Sequence, residues 1–299
     1  MATITSTPAA WSTLRATLGA CAVGRHDPTT QGDHLGWWRA TLTPQGPGTL
    51  HLRPRGQAIE AFGYGPGGSW LVEHHGDLCG VHDSPLVEHG GNRVIASALG
   101  RTPLPRFGRT LTAFHDILPV ILGQRITAGE AHRQWGSLCR RLGAPAPGPR
   151  SDLWLPPTPE ALLAHPSWWY HPLGIERSRA EALRTVARHA QRLMRLEPSE
   201  PGNGRQWLEL LPGIGPWTSA HVAQISWGDP DAVIVGDYWL PHLVVRALTG
   251  RARGTDAEML DLLEPWRRQR ARVVRLLAAA GHRVERRGAG RRVLPMHRW

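Results

Sequence analysis

The chain has 299 residues, which is long enough for one large domain or for two domains with a real core. Hydrophobic residues make up 41% and charged residues 20%, a composition typical of soluble globular proteins and not of disordered chains. No apolar run approaches the roughly 18 to 20 residues of a membrane span, and no signal peptide is recognised at the N-terminus. We therefore expect a cytoplasmic protein.

The net charge of +11 comes from 35 basic and 24 acidic residues, and every basic residue is an arginine. The absence of lysine excludes a lysine Schiff-base nucleophile and a phosphate-loop lysine. Eleven of the arginines and a single acid lie between Trp266 and Trp299. This concentration of positive charge indicates a polyanionic partner, although a solvated or disordered tail would carry the same charges. The scattered cysteines Cys21, Cys79 and Cys139 suit neither a disulfide framework nor a metal or iron–sulfur cage.

The two parts of the chain differ in hydrophobic period. Before about residue 110, short alternating stretches between glycine- and proline-rich turns predict β-strands at 36–42, 49–53 and 69–72. From about residue 114 the period becomes helical. The predicted helices cover 115–142 with a break at 123–125, begin at Pro159 and at capping boxes formed by Ser178 and Thr255, and cover 206–211, 216–227 and 237–248. A small sheet domain followed by a larger helical domain is the expected organisation.

The strongest local signal is the segment Leu-Pro-Gly-Ile-Gly-Pro-Trp-Thr at 211–218. Gly213 and Gly215 permit a tight turn with close backbone approach to a ligand, and Pro216 suits the first position of the next helix. Amides at such a helix start attract phosphate, so the segment predicts a hairpin that holds a DNA backbone. An ordinary turn between two helices could use the same residues.

A short apolar run is followed by Gly236 and Asp237, which stand at the predicted start of another helix. Asp237 could be a helix N-cap or a carboxylate held at the floor of a cleft. Both roles are compatible, because capping would fix the side chain. Asp116, Asp229 and Asp231 are the other acids to consider for the same chemistry.

Together these segments resemble the helix-hairpin-helix Gly-Pro-Asp superfamily of DNA glycosylases, in particular its 3-methyladenine DNA glycosylase II family. The matching motifs are the hairpin at 211–218, Val-Gly-Asp-Tyr at 235–238, Ile-Leu-Gly-Gln at 121–124 and Glu-Pro-Trp-Arg at 264–267. The resemblance implies an α+β fold. Its parts would be an N-terminal antiparallel β-sheet domain (1–105), a mainly α-helical helix-hairpin-helix glycosylase domain (106–280) and a basic C-terminal tail (281–299).

The resemblance also implies the reaction, which is the flipping and excision of alkylated purines from double-stranded DNA in base excision repair. Asp237 falls on the catalytic aspartate, which stabilises the oxocarbenium-like sugar as the base departs. Trp217 occupies the position of the lysine found in bifunctional members. A monofunctional enzyme is therefore expected, without an iron–sulfur cluster, acting as a monomer near the nucleoid and leaving an abasic site.

Further site residues follow from the same resemblance. The expected walls of the base pocket are Trp217, His221, Tyr238, Trp239 and Trp266, with His221 replacing the family's tyrosine. The expected DNA contacts are Gln124, Arg125 as the wedge that fills the vacated stack, Gly213, Ile214, Gly215, Thr218, and Arg268, Arg272 and Arg275 on one helical face. The main-chain carbonyls of Glu209, Leu211 and Ile214 would hold a Na⁺ or K⁺ ion.

Two other functions fit the sequence. One is a non-catalytic helix-hairpin-helix protein that binds DNA or senses damage, which Asp237 at its family position disfavours. The other is a glycosylase of the same mechanism devoted to a bulky genotoxic adduct. The identity of the damaged base stays open, because the volume of the pocket cannot be read from the sequence.

Overall fold

The N-terminal part of the chain folds into an antiparallel sheet. The computed structural model describes residues 5–8, 11–34, 36–198 and 201–284. The strands are β1 (Thr5–Pro8), β2 (Thr30–Asp33), β3 (Gly36–Thr43), β4 (Gly46–Arg55) and β5 (Ala58–Tyr64), in the spatial order β1-β5-β4-β3-β2. Two-residue turns join β3 to β4 and β4 to β5, and Gly56 in the second turn has a φ of +59°. Tight hairpins need such positive φ values because they match the twist of the strands.

The remainder of the described chain is mainly helical, so the predicted order of sheet and helices is confirmed. The helices are α1 (Trp11–Gly19), α2 (Gly68–Glu73), α3 (His75–Leu78), α4 (Arg93–Arg101), α5 (Ala113–Leu122), α6 (Ala128–Leu142), α7 (Pro159–Leu163), α8 (Arg177–Arg188), α9 (Ala190–Leu193), α10 (Pro201–Glu209), α11 (Pro216–Ser226), α12 (Leu240–Thr249), α13 (Asp256–Leu263) and α14 (Arg270–Ala279). Short 3₁₀ helices occupy Ser167–Leu173 and Glu264–Trp266.

Several predicted boundaries are confirmed and two elements are wrong. The break at 123–125, the start at Pro159 and the capping box of Thr255 with Glu258 are present. The stretch 69–72 is not a strand but lies in α2, where three consecutive apolar side chains are buried against the sheet. A short apolar run fits either structure. Ser178 does not start a helix, because α8 already begins at Arg177 and the serine hydroxyl donates to Glu176.

Hydrophobic packing does not follow the predicted boundary at residue 105. One cluster joins the sheet to α1 and α2, and a second is built from α5, α6, α8, α10 and α11. A third cluster combines Val87, Ile95 and Ala98, which lie before residue 105, with side chains from α12, α13 and α14. Residues 87–98 therefore pack with the C-terminal helices rather than with the sheet. The predicted tail mostly lies outside the described residues, which end at 284.

A buried ion pair joins the sheet to the helices. Arg39 of β3 donates to a carboxylate oxygen of Asp116 in α5 at 2.5 Å, and both side chains are at most 3% exposed. Ser226, the last residue of α11, donates to the other oxygen of Asp116 at 2.6 Å. The carbonyls of Ile225 and Ser226 accept from the amides of Thr110 and Leu111 at 3.1 Å each. The C-terminal end of α11 is thus held where sheet and helices meet.

None of the helices in the described ranges combines the length and the hydrophobicity that a membrane span requires.

Candidate active site

The predicted hairpin is present between α10 and α11. The amide of Ile214 donates to the carbonyl of Leu211 at 3.0 Å, and Gly215 is the N-cap of α11. Gly213 has a φ of +87°, and a Cβ there would lie 2.8 Å from the Cβ of Ala182 in α8. Conformation and close packing therefore both require glycine at 213. Gly215 has open space around its Cβ position.

Gln124 fastens the segment after α5 to this hairpin. Its side-chain amide donates to the carbonyl of Gly213 and to the hydroxyl of Thr218, both at 3.0 Å. These two bonds use both amide hydrogens, so Gln124 positions the hairpin and does not present a free amide donor to DNA. Thr218 and Ile214 are only 2% and 5% exposed, which restricts any DNA contact there to the main chain. Arg125 next to Gln124 is exposed, with a φ of +60°.

Asp237 uses its two carboxylate oxygens differently. Oδ1 accepts from the amides of Trp239 and Leu240 at 2.7 and 3.0 Å, which caps the start of α12 and explains why this helix begins three residues later than predicted. Oδ2 lies 3.5 Å from the indole Nε1 of Trp217. The carboxylate is half-buried. Capping thus fixes the side chain and leaves Oδ2 directed toward α11.

Trp217 and His221 lie one turn apart on the same face of α11. The ring centroids are 4.2 Å apart with the planes tilted by 47°, and Nδ1 of His221 lies 2.8 Å from the carbonyl oxygen of Trp217. The far edge of the indole packs over Gly123, where a Cβ would come within 3.3 Å. The structure therefore brings together Trp217, His221, Asp237 and the segment at 123–125, as predicted.

Tyr238 and Trp239 follow Asp237 on the protein surface. They are 64% and 39% exposed and contact each other edge to face, with centroids 4.6 Å apart. These rings lie beside the carboxylate on the solvent side and do not enclose it. They offer an exposed aromatic surface rather than buried pocket walls.

Trp266 does not lie beside Asp237, so its predicted place in the base pocket is wrong. It is 8% exposed within the third cluster, and its indole N–H donates to the carbonyl of Glu88 at 2.7 Å. The ring borders a separate cavity of about 510 Å³ that is also lined by Leu248 near the C-terminal end of α12. Asp237 caps the opposite end of that helix. Trp266 therefore helps to pack residues 87–98 against the C-terminal helices.

The arginine face predicted on the last helix is wrong. Arg272 is fully buried and pairs with Asp83, at 2.5 Å between Nη2 and Oδ1. Arg275 donates to Oε1 of Gln224 at 2.8 Å and lies over the ring of Phe107, and burial lowers its pKa to about 10. Arg268 precedes α14 and is exposed. Of the three predicted phosphate contacts, only Arg268 can meet DNA.

The other acids considered from the sequence have structural partners. Asp116 pairs with Arg39, and Asp231 pairs with Arg270 at 2.6 Å. Burial raises the pKa of Asp229, whose Oδ1 accepts from the amide of Asp231 at 2.8 Å. Asp237 is therefore the acid that lies beside the aromatic side chains of α11.

The sequence did not predict a role for Asp256 at this site. Its Oδ2 accepts from the amide of Gly236 at 3.0 Å, so the first turn of α13 holds the residue that precedes Asp237. The Thr255 capping box placed Asp256 correctly at a helix start, but nothing local indicates a partner 20 residues earlier.

The expected ion-binding carbonyls are all at the hairpin. Leu211 already accepts one hydrogen bond, from Ile214, and a carbonyl oxygen has a second lone pair. Neutral oxygen donors suit a hard cation, so this donor set is compatible with the predicted alkali ion. Elsewhere in the described ranges, no three His, Cys, Asp or Glu side chains gather to hold a metal.

The sheet, the helices and the hairpin form a fold that solved structures of DNA glycosylases share. The chain is similar to the structure of the 3-methyladenine DNA glycosylase from Archaeoglobus fulgidus, with a TM-score of 0.72 and 16% identity over 93% of this chain and 98% of that one. It is also similar to the 8-oxoguanine glycosylase/lyase of Clostridium acetobutylicum bound to double-stranded DNA, with a TM-score of 0.61 and 12% identity over 89% and 90%. The family resemblance is thus confirmed at the level of the fold.

Similarity to known proteins at the level of sequence is limited. No family model matches the chain. A segment of 48 residues, 16% of this chain, is 40% identical to the adenine DNA glycosylase of Schizosaccharomyces pombe. That match spans only 10% of the curated relative.

Proposed function

We propose that the chain is a monofunctional DNA glycosylase that removes alkylated purines from double-stranded DNA. The observation that carries the proposal is that the two carboxylate oxygens of Asp237 have different partners. Oδ1 accepts hydrogen bonds from the start of α12, while Oδ2 lies 3.5 Å from the indole Nε1 of Trp217. The hairpin fold and the glycosylases that share it support DNA as the substrate.

The reaction is hydrolysis of the bond between the base and C1′ of the sugar. As this bond breaks, the base takes the electron pair and the sugar becomes a cation, which water then captures at C1′ with loss of a proton. A fixed anion beside that cation stabilises the transition state more than the ground state. Asp237 supplies the anion, and the hydrogen bonds to Oδ1 hold it before the substrate arrives.

The aromatic side chains support an alkylated purine as the substrate. Alkylation at a ring nitrogen makes the base cationic, and a cation gains from the π face of an indole. Trp217 provides that face next to Asp237, and Tyr238 and Trp239 add exposed rings. Arg125, exposed beside Gln124, is proposed to occupy the gap that the extruded base leaves.

The lack of lysine supports a monofunctional enzyme. A lysine Schiff base is the route from base removal to strand cleavage in bifunctional relatives, and this chain has no lysine to form it. The product should then be an intact abasic site. A monomeric state, a location near the nucleoid and the alkali ion at the hairpin stay predictions.

The test is single-turnover base excision by Asp237→Asn. Asparagine keeps an oxygen that caps α12 but removes the negative charge, so we expect nearly unchanged DNA binding and excision at least about 100-fold slower. Asp261→Asn, on the exposed side of α13, is the matched control and should excise normally.

Two experiments with the wild-type protein test the rest of the proposal. Borohydride should trap no covalent adduct between wild type and DNA. Mass spectrometry of the bases released from alkylated genomic DNA identifies the substrate and would reveal a bulky adduct if that is preferred.

Wild-type rates in Asp237→Asn would refute the assignment of the catalytic acid. Tight binding to damaged DNA without release of any base by wild type would instead support the non-catalytic module.

A further inference from the structure

Arg275 in α14 is a largely buried cation without a counter-ion. In the described part of the chain its guanidinium forms no ion pair, whereas Arg272 of the same helix pairs with Asp83. Its contacts are the ring of Phe107, 3.8 Å from the guanidinium carbon to the centroid, and one glutamine side chain. A charge withdrawn from water costs free energy unless it is paired. Stability alone therefore does not explain an arginine at this position.

The guanidinium of Arg275 fixes the direction in which the side-chain amide of Gln224 points. Nε and Nη2 of Arg275 both donate to Oε1 of Gln224, at 3.2 and 2.8 Å. On the other side of the amide, Nε2 donates to the main-chain carbonyl of Ala232 at 2.7 Å. A guanidinium only donates and a carbonyl only accepts, so the reverse orientation would face each partner with the wrong group. Arg275 therefore holds the amide of Gln224 in the orientation that donates to Ala232.

The carbonyl of Ala232 belongs to the segment that leads to Asp237. Ala232 is fully buried, and four residues later the amide of Gly236 donates to Asp256 at 3.0 Å. The segment at 232–236 is thus held at one end by α11 and at the other by α13. Asp237 follows directly, and its Oδ1 accepts from two amides at the start of α12. The bond from Gln224 is therefore the contact through which α11 holds the segment before the carboxylate.

We propose that Arg275 is a positioning residue, which acts through Gln224 to hold the segment before Asp237 against α11. Trp217 lies on the same helix as Gln224, so the bond to Ala232 helps to set the distance between the indole and the carboxylate. The inference rests on the proposed glycosylase function. It adds two residues that act on the reaction through the carboxylate and not through the base.

The main test is Gln224→Glu. Glutamate has the same length and still accepts from Arg275, with which it forms an ion pair, but it has no hydrogen to donate to Ala232. The variant should therefore unfold in urea at a midpoint no lower than that of wild type. The segment before Asp237, however, loses its hydrogen bond to α11 and faces a second acceptor instead.

Arg275→Met is the second variant. It removes both donors to Gln224 and leaves no carboxylate unpaired, so it should unfold close to the wild-type midpoint. Without the guanidinium, the amide of Gln224 is free to turn away from Ala232. The two variants thus break the same connection, one at each end.

Gln269→Glu is the matched control. Oε1 of Gln269 accepts from Nε of Arg272, another arginine of α14, at 2.6 Å. The substitution therefore again places a carboxylate beside a buried guanidinium. The side chain of Gln269 has no hydrogen bond to the segment at 232–236 within the residues that the structure describes. This variant should excise at the wild-type rate.

The assay is single-turnover release of purines from methylated duplex DNA, with every released base quantified by mass spectrometry. We expect Gln224→Glu and Arg275→Met to slow release about 10-fold, because a small displacement of a catalytic group is costly. Their affinity for DNA that contains an abasic site should equal that of wild type, so the loss should appear in the rate and not in binding.

A double variant provides the readout that a purely structural role would not change. In Asp237→Asn the charge that Gln224 helps to position is already absent. Adding Gln224→Glu to this variant should therefore slow release by less than about 2-fold, although the same change slows wild type about 10-fold.

Three results would overturn the inference while the glycosylase function stands. They are wild-type release by Gln224→Glu, a large loss of its stability, and equal slowing by Gln224→Glu with and without the carboxylate of Asp237. No release of any base by the wild-type protein would overturn the proposed function together with the inference.

Discussion

Replacing Arg272 should destabilise the fold without changing the protein's electrostatic attraction to DNA. Its guanidinium is fully buried in α14 and donates to both carboxylate oxygens of Asp83, to the carbonyl of Pro105 and to Oε1 of Gln269. Asp83 also accepts from the amide of Phe107 at 2.9 Å. Removing one partner of such a pair leaves the other charge buried and unpaired.

The expected loss in the free energy of unfolding for Arg272→Met is about 3–5 kcal/mol, the usual cost of leaving a buried charge unpaired. Replacing Asp83 with Ala should cost a similar amount. The double variant should cost less than the sum, because each single change already breaks the same pair. Urea unfolding of the four proteins measures all of these values.

Arg268→Ala is the matched control, since it removes the same charge from an exposed position just before α14. Its stability should change by no more than about 0.5 kcal/mol. If Arg268 contacts a phosphate, its loss should reduce the slope of log affinity against log salt by about 0.9. Wild-type stability of Arg272→Met, with a reduced salt slope, would refute the structural role of Arg272 and restore it as a DNA contact.

Two further predictions concern the cleft and the hairpin. Arg125→Ala should weaken binding to lesion DNA by about 1–3 kcal/mol more than binding to intact duplex, if the guanidinium stacks in the vacated gap; equal losses in titrations with both DNAs would make it an ordinary phosphate contact. Gly213→Ala should lower the free energy of unfolding by about 1–3 kcal/mol, because the new Cβ meets Ala182 at a φ of +87°. Gly215→Ala, with open space around it, should cost only about 0.5–1 kcal/mol by the same urea assay, the difference between glycine and alanine as an N-cap, and a larger cost at 215 than at 213 would contradict the packing argument.

The features predicted correctly depend on local chemistry. The turn at Gly213, the helix start at Pro216 and the cap at Asp237 are each specified by neighbouring residues, which force a backbone conformation or satisfy free amides. The residues at i and i+4 of a helix lie on one face, so Trp217 and His221 could be expected to meet. Their proximity to Asp237 followed from the family resemblance and not from spacing alone.

The features predicted wrongly depend on partners that are distant in the sequence. Charge suggested that Arg272 and Arg275 face solvent, but α14 is covered on almost all sides, and the partner of Arg272 is Asp83, 189 residues away. Trp266 likewise bonds a carbonyl 178 residues earlier. A tryptophan or an arginine can serve a pocket or a core equally well, and the sequence does not show which surface will cover it.

Helix α11 contributes to three parts of the molecule, and this constrains the length of the helix in evolution. Its first turn belongs to the hairpin, its middle carries Trp217 and His221, and its last carbonyls bond the chain between sheet and helices. One inserted residue would rotate everything beyond it by about 100° and advance it by about 1.5 Å. Insertions in the surrounding loops leave this phase intact. The length of α11 should therefore be invariant among active relatives, even where the loops around the cleft diverge in length and sequence.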